Sequence, residues 1–192
     1  WQYVFKQGSF LSNKKFIRIL EIGASRYSIC GIIFDGLAEE IVIGYYQDSE
    51  RELIENYLFK VKQKIELKSK YKLEKIDAHT VKGSFDLVIM KSVLGGLFRK
   101  NETSIDDVES FLYSLMQRAL NDNGSLITID NGKSILESLL SKFGARKNQW
   151  RFFSKAELTN ASKQFEFGLL SSFSFETRWG IFGHFLDNYI MY

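Results

Sequence analysis

Short runs of β-branched and apolar residues alternate along the chain with stretches in which apolar positions recur every three or four residues. Such alternation predicts a mostly parallel sheet flanked by helices, because parallel neighbours need a crossover between them. Phe16 to Ile22 predicts the first strand, which closes on Gly23 and the turn Ala24-Ser25. A helix is expected from about Ser28 to Leu37, and a second strand over Ile41 to Tyr45. Asp48-Ser49-Glu50 then reads as a helix N-cap with acids in the first turn. Behind it, Leu53, Ile54, Tyr57, Leu58, Val61 and Ile65 fall on one stripe at helical spacing.

A weaker strand near Leu73 to Ile76 leads to Asp77-Ala78. Phe85 to Met90 is almost continuously apolar, as a strand buried on both faces should be. Val108, Phe111, Leu112, Leu115, Met116, Ala119 and Leu120 make the cleanest helical stripe, and Asn121 to Gly124 reads as its αL-tolerant end. Leu126 to Ile129 predicts the next strand, followed by helices over Lys133 to Phe143 and Ser154 to Phe165. The aromatic-rich runs Gly168 to Phe175 and Trp179 to Tyr189 read as an antiparallel hairpin at the sheet edge. The expected fold is therefore α/β: a doubly wound, mostly parallel, seven-stranded sheet with that hairpin at one edge. With no linker, repeat or low-complexity tract, residues 1–192 read as one domain behind a lead-in over 1–15. The start at Trp1 suggests an excerpt of a longer gene product.

Composition narrows the partners more than the fold. The 192 residues are 45% hydrophobic and 26% charged, with a net charge of +3, too small to argue for nucleic acid or an acidic membrane surface. The lysines from Lys60 to Lys72 are interleaved with apolar residues and read as the solvated face of a helix and its following turn. Cys30 is the single cysteine, so no intrachain disulfide forms; it reads as a buried, inert thiol suited to a reducing cytoplasm. No membrane span or signal peptide is evident, and the acids and histidines do not cluster as metal ligands.

In open parallel sheets, ligands bind beyond the carboxyl ends of the strands, where strand order reverses. Five loops there carry polar groups: Glu21-Ile22-Gly23-Ala24-Ser25, Tyr46-Gln47-Asp48, Asp77-Ala78-His79, Lys91 to Gly96, and Asp130-Asn131. A glycine at a strand end permits close backbone approach, and caps and turns explain any one loop equally well. The ordered strings ILEIGAS, IVIGYYQDSE, IDAHTVKGSFDLVIMKSVLGGLF and ALNDNGSLITID resemble the motifs of class I S-adenosylmethionine-dependent methyltransferases, from about Phe16 to Tyr189. KSVLGG and Trp150-Arg151-Phe152-Phe153 are similar to methyltransferases of bacterial surface-polysaccharide biosynthesis.

That resemblance implies a Rossmann-like methyltransferase with S-adenosylmethionine as cofactor and S-adenosylhomocysteine as product. It implies that Glu21, Gly23, Ala24 and Ser25 line the methionine end of the cofactor, that Asp77 and Ala78 flank adenine, and that Lys91 and Ser92 close near the sulfonium. Two positions depart from the family pattern. Ser25 and Tyr27 stand where the loop's later glycines belong, and Tyr46 replaces the acid that holds the ribose hydroxyls, leaving that task to Asp48 or the tyrosine hydroxyl.

The acceptor implied is a hydroxyl of a surface glycan or its precursor. Of the candidate bases Asp130, His79 and His184, Asp130 at the end of the fifth strand is best placed by strand topology, and binding of substrate hydroxyls is an equal alternative for it. His79 reads as a cofactor-side or surface residue and His184 as a structural histidine. Asn131, Trp150, Arg151 and Arg178 are the candidate acceptor contacts: the arginines would grip a phosphate, sulfate or carboxylate, or serve in surface salt bridges. Two alternatives stand beside this reading, methylation of a small molecule or protein, and a methyltransferase-like module that binds or scaffolds without catalysis. A nicotinamide domain fits less well, because the spaced glycines for a pyrophosphate are missing.

Overall fold

A computed structural model describes residues 15–25, 29–99, 103–130 and 151–161. In chain order the elements are β1 (Phe16–Ile22), a single 3-10 turn (Gly31–Phe34), β2 (Ala38–Tyr45), α1 (Asp48–Lys62), β3 (Lys70–Lys75), β4 (Phe85–Lys91), α2 (Leu94–Leu97), α3 (Ile105–Ala119), β5 (Leu120–Ile129) and α4 (Lys155–Ala161). The strands form one sheet in the order β3-β2-β1-β4-β5, and every pairing is parallel. The chain divides into two compact units: residues 13–93 with 110–129, which hold the sheet, and residues 1–12, 94–109 and 130–192.

The three middle strands are apolar on both faces. Ile19, Leu20, Ile41, Val42, Ile43 and Leu87 to Met90 are wholly buried, each large side chain contributing roughly 1.5–3 kcal/mol. β3 (KYKLEK) is the more exposed strand, and its lysines suit an edge. Lys72 and Arg18 converge on Glu40, at 2.8 and 3.1 Å. At the amino end of the sheet, one Asp86 carboxylate oxygen accepts the Ile17 and Arg18 N–H groups at 2.6 and 2.8 Å. The other accepts the Asn121 side-chain amide, so one side chain joins β1, β4 and β5.

The structure corrects several sequence expectations. The helix expected over 28–37 is only the Gly31–Phe34 turn, and β2 starts at Ala38. The Cys30 and Gly31 N–H groups are held by Glu21, and Gly36 at φ +76° turns the chain toward β2. Asp48 is the first residue of α1; Gln47 is the N-cap, and its side chain makes no capping hydrogen bond. Of the α1 stripe only Ile54 and Leu58 are buried, while Leu53, Tyr57 and Ile65 face solvent. Lys70 and Lys72 belong to β3, not to the turn after a helix.

Asn121 to Gly124 do not end α3 in an αL cap; they lie within β5, across a register irregularity opposite Phe85 to Leu87. The bond from Asn121 to Asp86 draws this segment onto the sheet. Five parallel strands stand among the described residues instead of seven with an antiparallel hairpin. The predicted hairpin strands, 168–175 and 179–189, and the 133–143 helix lie outside the described residues. Cys30 is buried, as expected. Among the described residues, no helix is long and apolar enough to cross a membrane.

Asp86→Asn puts an amide NH2 where one of the two acceptors stood. Urea unfolding should show a loss of about 1–3 kcal/mol; a loss below 0.5 kcal/mol, within the ordinary range of neutral surface changes, would show that the stitch at the amino end is dispensable.

Candidate cofactor site

Strand order reverses at β1, which pairs with β2 on one side and β4 on the other. The loops leaving their carboxyl ends are therefore forced apart into a crevice, the place where this architecture takes ligands. Gly23 leaves β1 at φ +80°, and a Cβ there would come within 2.6 Å of Val93 Cγ2. Both the backbone conformation and the contact require glycine. The Gly23 and Ala24 N–H groups both donate to the Gly44 carbonyl, at 3.0 and 2.9 Å, and the Ile76 N–H donates to Tyr45 O at 2.8 Å. A Cβ on Gly44 would lie 2.6 Å from the Glu21 carbonyl oxygen. The loops after β1, β2 and β3 are thus joined through backbone, and Val93 brings in the loop after β4.

Glu21 is only 2% exposed. Its Oε1 accepts the Cys30 N–H and its Oε2 the Gly31 N–H, each at 2.7 Å. Burial pushes the carboxyl up to about 7, against the pull of those two N–H groups, the Cys30 thiol and the Lys91 charge. Its oxygens are engaged by the chain itself, so Glu21 shapes the loop after β1 from beneath. Ala24 is buried and Ser25 half-buried.

At the end of β2, Tyr46 is 65% exposed. Asp48, the alternative ribose partner, is exposed and pairs with Lys75 at 2.7 Å. After β3, Asp77 closes a tight turn: its Oδ1 accepts the His79 N–H at 2.8 Å, and its carbonyl accepts the Thr80 and Val81 N–H groups. Ala78 is buried, Asp77 is exposed, and the His79 ring packs edge-on against Phe111 with centroids 5.2 Å apart. Lys91 ends β4, and Ser92 follows at φ 55°, the single positive-φ residue other than glycine among those described. Its N–H donates to Ile129 O at 2.7 Å. A non-glycine residue held in this region is a strained backbone of the kind that gathers at binding sites. All ten expected cofactor residues lie in the unit that holds the sheet.

Of the remaining expected residues, Asp130 and Arg151 are described and belong to the other unit. Asp130 directly follows β5, and its carboxylate accepts the Gly95 N–H at 3.1 Å, capping the first turn of α2. Burial pushes it up to about 6, opposed by the Gly95 and Leu94 N–H groups. Its Oδ2 is buried and has no hydrogen-bond partner among the described residues, a costly state for a carboxylate oxygen.

Arg151 is 8% exposed. It donates to the Thr103 and Ser104 carbonyls at 2.9 and 3.2 Å and to Glu157 Oε1 at 3.0 Å. Ser104 with Asp107, and Ser154 with Glu157, form reciprocal caps at the starts of α3 and α4. Arg151 thus joins the two helix starts, and the anion it meets among the described residues is the Glu157 carboxylate. Asn131, Trp150 and Arg178 lie outside the described residues, as does His184. Sequence reasoning missed Val93, Gly44 and Arg118: two act through close approach and one through carbonyl contacts, neither of which leaves a sequence pattern.

Above its ordinary range, Glu21 keeps its proton in the folded chain up to about pH 7, whereas an unfolded glutamate releases it near 4.5. The folded state binds more protons in that window, so stability should fall as pH rises through it, by up to about 3 kcal/mol. Glu21→Gln should flatten the slope in urea titrations at stepped pH. If the variant keeps the wild-type slope, Glu21 is not the titrating group.

No protein-family model matches the chain, and no curated protein matches it. Solved structures do. Magnesium protoporphyrin IX methyltransferase from Synechocystis PCC 6803, with bound S-adenosylhomocysteine, superposes with a TM-score of 0.65 at 13% identity, over 90% of this chain and 73% of that one. An S-adenosylmethionine-dependent methyltransferase from Methanosarcina mazei gives a TM-score of 0.57 at 16% identity, over 81% of each chain. Mitomycin 7-O-methyltransferase gives 0.56 at 15% identity, over 83% of this chain and 46% of that one. The sheet order and these likenesses agree: the fold is the Rossmann-like fold of class I methyltransferases.

Proposed function

We propose that this chain is an S-adenosylmethionine-dependent methyltransferase whose cofactor lies across the carboxyl ends of β1 to β4. The observation that carries this reading is the reversal of strand order at β1, with a glycine at positive φ where the chain leaves the sheet. The residues suit such a group: Gly23 admits close backbone approach, Tyr46 offers an exposed hydroxyl and ring, and Asp77 stands exposed on a tight turn. Gly23, Ala24 and Ser25 would meet the methionine end, with Glu21 supporting them from below. Tyr46 and Asp48 would meet the ribose, Asp77 and Ala78 the adenine, and Lys91 and Ser92 the sulfonium side. When bound, the cofactor supplies an electrophilic methyl group, and the protein's work is to orient an acceptor in line with it.

For acceptor we propose a small-molecule hydroxyl, in a surface glycan or its precursor. The likeness to a porphyrin methyltransferase and a mitomycin O-methyltransferase favours a small molecule. The glycan is supported by the resemblance of Lys91 to Gly96 and Trp150 to Phe153. Asp130 is assigned the proton-accepting role, because burial brings its carboxyl near neutral pH and Oδ2 has no hydrogen-bond partner among the described residues. We read residues 1–192 as a single methyltransferase domain. A non-catalytic binding module is the second reading, favoured by the commitment of Glu21 to Cys30 and Gly31 and of Asp48 to Lys75.

Calorimetry separates the two. The enzyme reading expects saturable binding of S-adenosylmethionine and S-adenosylhomocysteine in the micromolar range, about tenfold or more weaker in Gly23→Asp and Asp77→Ala. A folded protein that binds neither compound would leave the binding module. Asp130→Asn should lower transfer by about 10²-fold or more while cofactor affinity holds. Sugar methylation unchanged after deletion of the gene would remove the glycan as acceptor.

A further inference from the structure

The loop after β3 is short of support from its own strand, since β3 ends at Lys75 and the turn at Asp77 to Val81 stands beyond it. Its support comes from the last two turns of α3. Arg118 Nη1 donates to Val81 O at 3.1 Å and Nη2 to Ala78 O at 3.4 Å. Its Nε donates to Ser114 O and Oγ, at 3.1 and 3.2 Å, which orients the guanidinium from the helix side. The Arg118 carbonyl accepts the Gly83 N–H at 2.9 Å, so the main chain holds the exit of the same loop. About two turns earlier, Phe111 meets the His79 ring.

We infer that Arg118 is the positioning residue for the adenine-side loop, fixing residues 77–81 through the Ala78 and Val81 carbonyls. The inference rests on the cofactor reading given above. Within the turn, the Asp77 carbonyl and Oδ1 already hold the Thr80, Val81 and His79 N–H groups. The guanidinium takes one carbonyl within that closed ring, Ala78, and one at its end, Val81, and ties the ring to the helix. A planar fork reaches two carbonyls three residues apart at once; an ammonium is a single point charge on a flexible stem. Recognition of a base edge requires placement within about half an ångström, and this clamp supplies it without touching the ligand.

The test compares wild type, Arg118→Met and Arg118→Lys for binding of S-adenosylhomocysteine and of S-inosylhomocysteine, which differs only at the purine edge. Both variants should weaken S-adenosylhomocysteine by about tenfold and narrow the preference between the two ligands. Exchange of the amides from Ala78 to Gly83 should quicken in the free protein. Unchanged affinity and preference, or equal losses for both ligands, would overturn the assignment, because a merely structural residue leaves the ratio alone. Arg118→Lys keeps the charge and stem, and carries the measurement if the methionine variant does not fold. A folded wild type that binds neither ligand would overturn the cofactor reading, and this inference with it. Binding by wild type with indifferent variants overturns only the role of Arg118.

Discussion

Everything described in the sheet unit depends on β1 being paired on both edges. With β2 on one side and, from Ile19 to Ile22, β4 on the other, this stretch of the strand has its backbone paired on both edges, and its side chains turn into the core on both faces. The same double pairing forces the chain out of the sheet in opposite senses on either side, and the opening falls at the carboxyl end, where Gly23 stands. Glycine is needed there for two separate reasons, a positive φ and the proximity of Val93.

The exception within that doubly paired stretch is Glu21, a carboxyl group surrounded by apolar strands. Removing such a group from water is costly unless hydrogen bonds compensate, and two backbone N–H groups and a thiol provide part of that compensation. In return, a connection that reads as a helix is held as one 3-10 turn. Charges elsewhere are settled in the same local way. Asp86 serves three strands, Arg151 ties two helix starts, and Arg118 holds a turn. Each spans residues far apart in the chain, so each does work that no local propensity can do.

The candidate site mixes groups that are structurally committed with groups that face solvent. Glu21 is buried on the Cys30 and Gly31 N–H groups, whereas Tyr46, Asp48 and Asp77 are exposed at neighbouring strand ends, Asp48 paired with Lys75 and Asp77 with the His79 N–H. Backbone bonds from Gly23 and Ala24 to Gly44, and from Ile76 to Tyr45, hold these loops in fixed relation. A ligand meeting them would therefore find a preformed surface, at a lower ordering cost than independent loops would impose.

Periodicity by itself located the strands, though not all of their bounds: β5 begins at Leu120 rather than Leu126, and β3 spans Lys70–Lys75 rather than 73–76. Phe16 to Ile22 and Phe85 to Met90 are legible because a strand buried on both faces must be continuously apolar, and the α3 stripe is legible because one helix face must be. The glycine after β1 and the acid after β3 were legible as positions for the same reason: loops at strand ends follow from the strands. Partnership was not legible. Asn121 to Gly124 carry every local mark of a helix end, yet a bond to Asp86 places them in β5. Arg151 among aromatics reads equally as an anion grip or a salt-bridging cation, and in the fold it is buried against two carbonyls and Glu157. Nothing in the pattern around Arg118 points to the Ala78 and Val81 carbonyls that it meets. Patterning is a property of neighbours along the chain, whereas the partner of a charged or amide side chain is chosen by distance after the sheet has formed, and only the tertiary structure sets that distance.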